Sequence, residues 1–431
     1  MPLAVRRLSR LGGHLHGSKA LKDGQKLAGF IASQKARYLD DVRSSKGKEW
    51  AVVMGNEAAG ACQDLDSVAC SIAYAWLRSE VHHKPTVPYI QCERDDYGLR
   101  PENIYALRLA GIEDSSSQLL CATDLAPFKP FPSSAFILVD HNRLSAAFSQ
   151  DNPSAHVVSI VDHHEDEGQH TDADPRIVAP SGSCSAHVAN LLPENIPSEL
   201  ATLLLSAILI DTSGLQPGGK ATDVDRVAAA KLLPHSSLAD SSQSLVGPGL
   251  HEMPRVAELA EALQTRKADV STLSAWDLLR RDYKEYTYTP PWLADRKALR
   301  IGLATVPLSL KAWARGGVLE SEGVRYMDVR GLAVLGVLTT FRSKKGKHKR
   351  QMAWIIRSPS HASPAVDVDS VATRLWEGVE TSDLEAKPLK KFEPHRREET
   401  GKLHIRVYKQ GNAKATRKAV APLIKRIMES S

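Results

Sequence analysis

WAVVMGNEAAGACQDLDSVACSIAYAWL, residues 50–77, reads as a strand, a turn and a helix in immediate succession. Trp50 to Met54 is a short apolar run of the kind that forms a strand buried on both faces. Val68 to Leu77 reads as a helix with Asp66 or Ser67 near its N-cap. Two further runs, Phe136 to Val139 and Val157 to Val161, have the same buried-strand character. Each of the three is followed, at once or after a short loop, by acidic or imidazole side chains: Asp64 and Asp66, then Asp140 and His141, then Asp162, His163 and His164. Short apolar strands alternating with amphipathic helices predict an α/β protein, with an N-terminal doubly wound, mostly parallel sheet and a smaller C-terminal α/β accessory domain. In open α/β sheets the carboxyl ends of the strands line the ligand crevice, so these groups are expected to converge there.

The sequence turns to Ser, Gly and Pro between Pro234 and Pro254, which predicts a domain boundary. The expected division is a leader and helix over 1–48, a catalytic domain over 49–245 and a basic substrate-binding accessory domain over 246–431. Beyond the boundary, Val256 to Arg266 reads as a helix, and Arg300 to Val306 and Met327 to Leu338 as strands. Charge divides the same way. Residues 251–431 hold 34 Lys and Arg against 21 Asp and Glu, a balance of +13, which leaves −7 for residues 1–250. A basic half suits a polyanionic partner. Aromatics make up 6% of the chain and do not interleave with the basic clusters, so the stacking platforms of single-strand nucleic-acid binders are absent. The run Lys344, Lys345, Lys347, His348, Lys349, Arg350 reads first as a loop between two strands and second as a track for a phosphate polymer.

With 431 residues, 42% hydrophobic and 25% charged, the chain is long enough for two cores. Its strong apolar run from Leu203 to Ile210 is far shorter than the roughly 20 residues of a membrane-spanning helix. Five cysteines with no CxxC pair argue against a disulfide framework and a thiolate zinc site, and point to a reducing, cytoplasmic compartment. Arg6, Arg7, Arg10 and Lys19, with no acid among the first twenty residues, also fit a mitochondrial transit peptide.

Four places in the first half carry chemistry. Asp64-Leu65-Asp66 offers two carboxylates on one turn; Asp140-His141-Asn142, Asp162-His163-His164 and Asp211-Thr212 add more oxygen and imidazole ligands. Carboxylates with a minority of imidazoles suit Mn²⁺, Mg²⁺ or Co²⁺. Each element alone has a bland reading: an isolated Asp-x-Asp is usually a solvated turn, and His82-His83 read as surface turn residues.

In order along the chain, Gly55-Asn56-Glu57-Ala58-Ala59 with Asp64-Leu65-Asp66-Ser67, Val139-Asp140-His141-Asn142, Val161-Asp162-His163-His164 and Asp211-Thr212-Ser213 resemble the motifs of the DHH phosphoesterase superfamily. Leu278 to Glu285, Lys409 to Asn412 and Arg417-Lys418 look like the accessory domain of its exopolyphosphatases. Manganese-dependent pyrophosphatases of that superfamily carry His where this chain has Asn56, and the Asn looks like the exopolyphosphatase and prune branch. The resemblance implies hydrolysis of terminal phosphate from inorganic polyphosphate, by attack of a water held between two divalent ions, Mn²⁺ foremost. Asp64 and Asp140 would hold one ion, and Asp66, Asp140, His163 and Asp211 the other. His141, His164 and Asp162 would serve the catalytic step, and Arg281, Lys284, Arg417 and Lys418 the phosphate chain. Polyphosphate is then the expected partner, with neither membrane nor nucleic acid. A pyrophosphatase or nucleotide phosphodiesterase of the same superfamily, and a non-catalytic prune-like interaction protein, are the alternatives.

This sequence departs from the pattern at Gly60-Ala61-Cys62-Gln63, four residues inserted before Asp64. Extra residues in a strand-to-helix turn are expected to loop out at modest entropic cost, with Asn56 and the first metal site open to displacement.

Overall fold

A computed structural model describes residues 18–57, 62–239, 249–293, 298–343, 345–359, 366–390, 392 and 403–430, with side chains from residue 27 onward. The basic N-terminal stretch before Ser18 lies outside the described residues. The chain forms two compact units that divide between Asp269 and Val270.

The first unit is built on six parallel strands: β1 (Ala51–Met54), β2 (Thr86–Ile90), β3 (Leu120–Cys121), β4 (Ala135–Val139), β5 (His156–Asp162) and β6 (Arg176–Val178). Their order is β3-β2-β1-β4-β5-β6. The chain leaves β1 toward β2 and β3 on one side and returns to the other for β4, β5 and β6. Strand order therefore reverses beside β1, the switch point where an open α/β sheet forms its crevice. Side chains alternate faces as a strand must. Ala51, Val53, Ile137 and Val139 enter one core with the helices Leu65–Trp76, Cys184–Leu191 and Ser198–Asp211. Val52, Met54, Phe136 and Leu138 enter the core on the opposite face with Tyr38, Trp50 and Phe148. Helices covering both faces explain why the strands read as continuous apolar runs.

The run Leu203 to Ile210 is the middle of the buried helix Ser198–Asp211, and no described helix is long and apolar enough to cross a membrane. All five cysteines are free and buried. Helix Pro254–Ala268 places Val256, Leu259 and Leu263 in the first core, so the first unit extends past the boundary expected at 245. Burial of that apolar stripe outweighs the Ser, Gly and Pro signal before it.

The helix after β1 starts at Leu65, with Asp64 as its N-cap accepting the Ser67 N–H at 3.1 Å. Asp66, expected near the cap, thus lies in the first turn, two residues past the observed cap. The described half of the insertion does not loop out: Cys62 and Gln63 are buried. The Cys62 carbonyl accepts Arg100 Nε at 3.1 Å, the Gln63 carbonyl accepts Asn103 Nδ2 at 2.8 Å, and Gln63 Oε1 accepts the Gln91 N–H at 3.2 Å. These bonds satisfy backbone groups that an insertion would otherwise bury unpaired, and they tie it to the end of β2. Gly60 and Ala61 lie outside the described residues.

The second unit has a mixed sheet of order β11-β12-β10-β9-β8-β7, from Tyr283–Tyr288 (β7), Leu299–Val306 (β8), Val334–Arg342 (β9), His348–Ile356 (β10), Ala386–Pro388 (β11) and His404–Gln410 (β12). Strands β8 and β9 are parallel and the remaining neighbours antiparallel. Met327, expected in a strand, belongs to helix Val318–Arg330, which Gly331 stops in a left-handed conformation (φ 64°) before β9 starts. Of the basic run, His348, Lys349 and Arg350 are in β10, paired with Arg342, Phe341 and Thr340, so only its first part is a turn; Lys344 lies outside the described residues.

Candidate metal centre

The ends of β4 and β5 bring Asp140, His163 and His164 together, with one ligand atom from each within 4.8 Å of the others. Asp140 takes a left-handed backbone conformation (φ 62°) immediately after β4, while its N–H still bonds the Val161 carbonyl at 2.9 Å. Asp tolerates this region better than most residues, and it turns the carboxylate into the crevice. His163 donates from Nδ1 to the Ser181 carbonyl at 3.1 Å, which orients the ring and places Nε2 3.2 Å from Asp140 Oδ1. This is the usual setting of a metal-ligating imidazole.

Asp140 Oδ2 accepts the Ser67 hydroxyl at 2.6 Å, and the same hydroxyl accepts the Asn56 N–H at 3.1 Å. Gly55 has no room for a side chain, since a Cβ there would lie 2.5 Å from the Ser67 Cβ. The turn holding Asn56 therefore stays docked on Ser67 beside Asp140 despite the insertion.

Asp66 is buried and accepts the Ser183 hydroxyl (2.8 Å), the Ser185 N–H (2.8 Å) and the Ser185 hydroxyl (2.6 Å) at Oδ1, and the Cys184 N–H (2.7 Å) at Oδ2. One acceptor direction on Oδ2 stays open. Asp211 ends the buried helix, with Lys267 Nζ 3.9 Å from its Oδ1. The carboxylates feel one another. Burial first, then the charges of Asp64 and Asp66, raise Asp140 to about 7, and the same causes push Asp211 well above the carboxylate range. Asp64 is held low instead: burial works against it, but Arg100, the Ser67 N–H and Lys267 outweigh burial. His163 is raised to about 9, since Asp140 and Asp66 overcome the burial that would lower it.

The expected catalytic trio divides. Asp162 is fully buried, and its Oδ1 accepts the His163 N–H (2.7 Å), the His164 N–H (3.2 Å) and His164 Nδ1 (2.8 Å), while Oδ2 accepts Asn142 Nδ2 at 2.5 Å. Three donors engage Asp162 Oδ1 and one engages Oδ2, so the buried carboxylate orients His164. The His164 side chain is 42% exposed. His141 donates from Nδ1 to the Val139 carbonyl at 2.9 Å, and burial lowers its pKa, so it is neutral at pH 7 with Nε2 as acceptor.

In the second unit, Arg417 opens helix Arg417–Glu429 and bonds Asp282 twice, its carboxylate at 2.8 Å and its carbonyl at 3.1 Å. That pair ties the segment of Arg281, which is buried, and Lys284, which is exposed on β7, to the exposed Lys418.

The donor set fits divalent cations. Asp140 Oδ1 is buried with no hydrogen-bond partner among the described residues, and the charges of Asp64 and Asp66 oppose its ionisation without a counter-charge. A carboxylate beside imidazoles, with further carboxylates nearby, is a donor set that divalent ions such as Mn²⁺ take. Sequence reasoning missed the loop Ser181–Ser185, which touches both Asp66 and His163; its small polar residues before a helix are a capping signal, but their partners are distant in sequence.

Comparison with known proteins agrees with this geometry. Residues 52–208 match the DHH family N-terminal domain and residues 261–427 the DHHA2 domain. A Schizosaccharomyces pombe protein named "Putative exopolyphosphatase" is 33% identical over 261 residues, spanning 56% of this chain and 62% of that protein. Human exopolyphosphatase PRUNE1 is 24% identical over 402 residues, 91% of this chain and 79% of its own length. A manganese-dependent inorganic pyrophosphatase of Methanothrix thermoacetophila is 28% identical over 231 residues, 52% of this chain and 63% of its own. The chain spans less than two thirds of the yeast and archaeal relatives and more of the human one. With both domains present in order, and the strand-end carboxylates and imidazoles gathered at the switch point, this chain belongs to the DHH phosphoesterase family.

Proposed function

We propose that the chain is an exopolyphosphatase that removes terminal phosphate from inorganic polyphosphate, using two divalent ions, Mn²⁺ foremost. The observation that carries the reading is the buried, donorless Oδ1 of Asp140 facing His163 Nε2 at the switch point. Asp64 and Asp140 hold one ion in this reading; Asp66, Asp140, His163 and Asp211 hold the other. Bound divalent ions would neutralise the terminal phosphate and lower the pKa of a water toward neutrality. The Asp162 carboxylate keeps His164 Nδ1 occupied, so His164 meets a phosphoryl oxygen through Nε2. Neutral His141 accepts or orders a proton at its own Nε2. Phosphoryl transfer needs charge neutralisation and positioning more than covalent help, which is the role we assign to Lys284, Arg417 and Lys418, with Arg281 supporting them from its buried position. The +13 balance of residues 251–431 supports a polyanionic substrate.

The test is orthophosphate release by purified protein with Mn²⁺ or Mg²⁺, on pyrophosphate and on polyphosphates of graded length. Turnover that rises with chain length supports the reading. Turnover of pyrophosphate alone makes the protein a pyrophosphatase, and no metal-dependent release from any substrate refutes catalysis.

A further inference from the structure

The buried carboxylate of Asp225 has no place in the chemistry above, and its contacts lead to the metal centre from behind. Asp225 sits in the first turn of helix Asp223–Leu232 and closes a capping box with Thr222, accepting the Thr222 N–H and hydroxyl, both at 2.7 Å, through Oδ2. A helix cap needs no more than this. Asp225 also accepts two backbone groups from a distant loop, the Gly182 N–H at 2.8 Å and the Ser183 N–H at 3.0 Å.

That loop is the one described segment that bonds both Asp66 and His163. Its Ser181 carbonyl accepts His163 Nδ1, while Ser183, Cys184 and Ser185 deliver four hydrogen bonds to Asp66. The loop has no slack at Gly182, where a Cβ would lie 2.7 Å from Thr212 Cγ2, 2.8 Å from Asp225 Oδ2 and 3.0 Å from the Lys220 carbonyl. Asp225 is itself fully buried, so its contacts are shielded from competing water.

We propose that Asp225 is a positioning residue for the metal centre: by holding Gly182 and Ser183 it sets the loop that orients Asp66 and His163 together, and so sets the affinity of the ion they share. This rests on the metal-binding reading above. Partners outside the ligand shell typically change metal affinity about 10- to 100-fold when removed.

The test is Mn²⁺ binding by electron paramagnetic resonance on the full chain, with melting of the metal-free protein measured in parallel. Asp225→Asn puts an N–H where an acceptor stood and should weaken Mn²⁺ binding about 10- to 100-fold. Thr222→Val removes the capping hydroxyl but keeps the contacts to Gly182 and Ser183; it should lower the melting temperature and leave the Mn²⁺ affinity unchanged. Gly182→Ala pushes the loop away from Thr212 and Asp225 Oδ2 while leaving both capping side chains in place, and should weaken binding like D225N, which covers the case where D225N does not fold. If D225N or G182A folds and binds Mn²⁺ as the wild type does, the proposal is overturned while the metal centre stands. If the wild type itself binds no Mn²⁺, the metal-binding reading falls and this proposal with it.

Discussion

Nε2 of His163 lies 3.2 Å from Oδ1 of Asp140, yet that buried oxygen has no hydrogen-bond partner among the described residues. The approach is close enough for attraction and too poorly aligned for a hydrogen bond. The two side chains are each anchored from behind, by Ser67 and by Ser181, at a separation that suits adjacent donors on one cation.

Asp140→Asn keeps the left-handed backbone, which Asn also tolerates, and keeps the shape of the side chain. It removes the charge that both proposed ions share. We expect metal-dependent phosphate release to fall by about 10³-fold or more with an unchanged circular dichroism spectrum, and His163→Ala to behave alike. Near-wild-type turnover in either variant refutes the ligand assignment.

Lys267 places a cation 3.9 Å from Asp211 Oδ1, where it would compete with the proposed divalent ion for the same carboxylate. Its side chain is 40% exposed, so solvent screens much of the effect. Lys267→Met is expected to tighten Mn²⁺ binding roughly threefold to tenfold in calorimetric titration. Weaker binding in the variant means that Lys267 supports the site instead.

The described half of the insertion, Cys62 and Gln63, is buried. Gln63→Ala leaves the Gln91 N–H without its acceptor and should cost about 1–3 kcal/mol in denaturant unfolding. Deleting Gly60 to Gln63 also removes buried Cys62 and the carbonyls that hold Arg100 and Asn103, so the deletion should lower the melting temperature further. An unchanged melting temperature shows that these contacts contribute nothing.

Asp124 joins helix Ser18–Arg43 to the end of the sheet, with Lys35 Nζ at 2.9 Å and Arg94 on its other oxygen. Burial pushes its pKa up, but Lys35 and the Cys121 N–H outweigh burial and hold the carboxyl below its usual value. A group with a depressed folded pKa stabilises the protein above the unfolded pKa, near 3.9, and loses that contribution as pH falls through the folded value. Asp124→Asn should therefore cost about 1–3 kcal/mol at pH 7, with the gap to wild type closing in acid below about pH 4. A gap that is independent of pH points to packing as the cause.

Lys418 is exposed next to the Arg417–Asp282 pair, so its loss should leave the fold intact. Lys418→Ala is expected to raise KM for polyphosphate about threefold to tenfold, with the melting temperature unchanged. The wild-type KM should itself rise with salt as the phosphate contacts are screened. Products should appear as orthophosphate released one unit at a time; mid-length fragments count against the reading.

The sequence by itself determined the parallel sheet and the residues at its strand ends. A strand covered on both faces must be apolar throughout, so Trp50 to Met54, Phe136 to Val139 and Val157 to Val161 stand out from any neighbouring loop, and the polar groups that follow them fall where such a sheet opens. The boundary after Asp269 was not legible, because the apolar stripe of helix Pro254–Ala268 says that it is buried without saying against which core. The docking of Cys62 and Gln63 was hidden for a related reason: their partners Gln91, Arg100 and Asn103 lie far along the chain. Only the tertiary structure decided which of two adjacent residues faces the crevice and which is used within the protein. It turned Asp162 inward onto Asn142 and His164, held His163 toward Asp140, and joined Asp66 to the Ser181–Ser185 loop. Hydrogen bonds between residues as far apart as Asp66 and Ser183 leave no periodicity in a sequence, and contacts of this kind help set the geometry of this site.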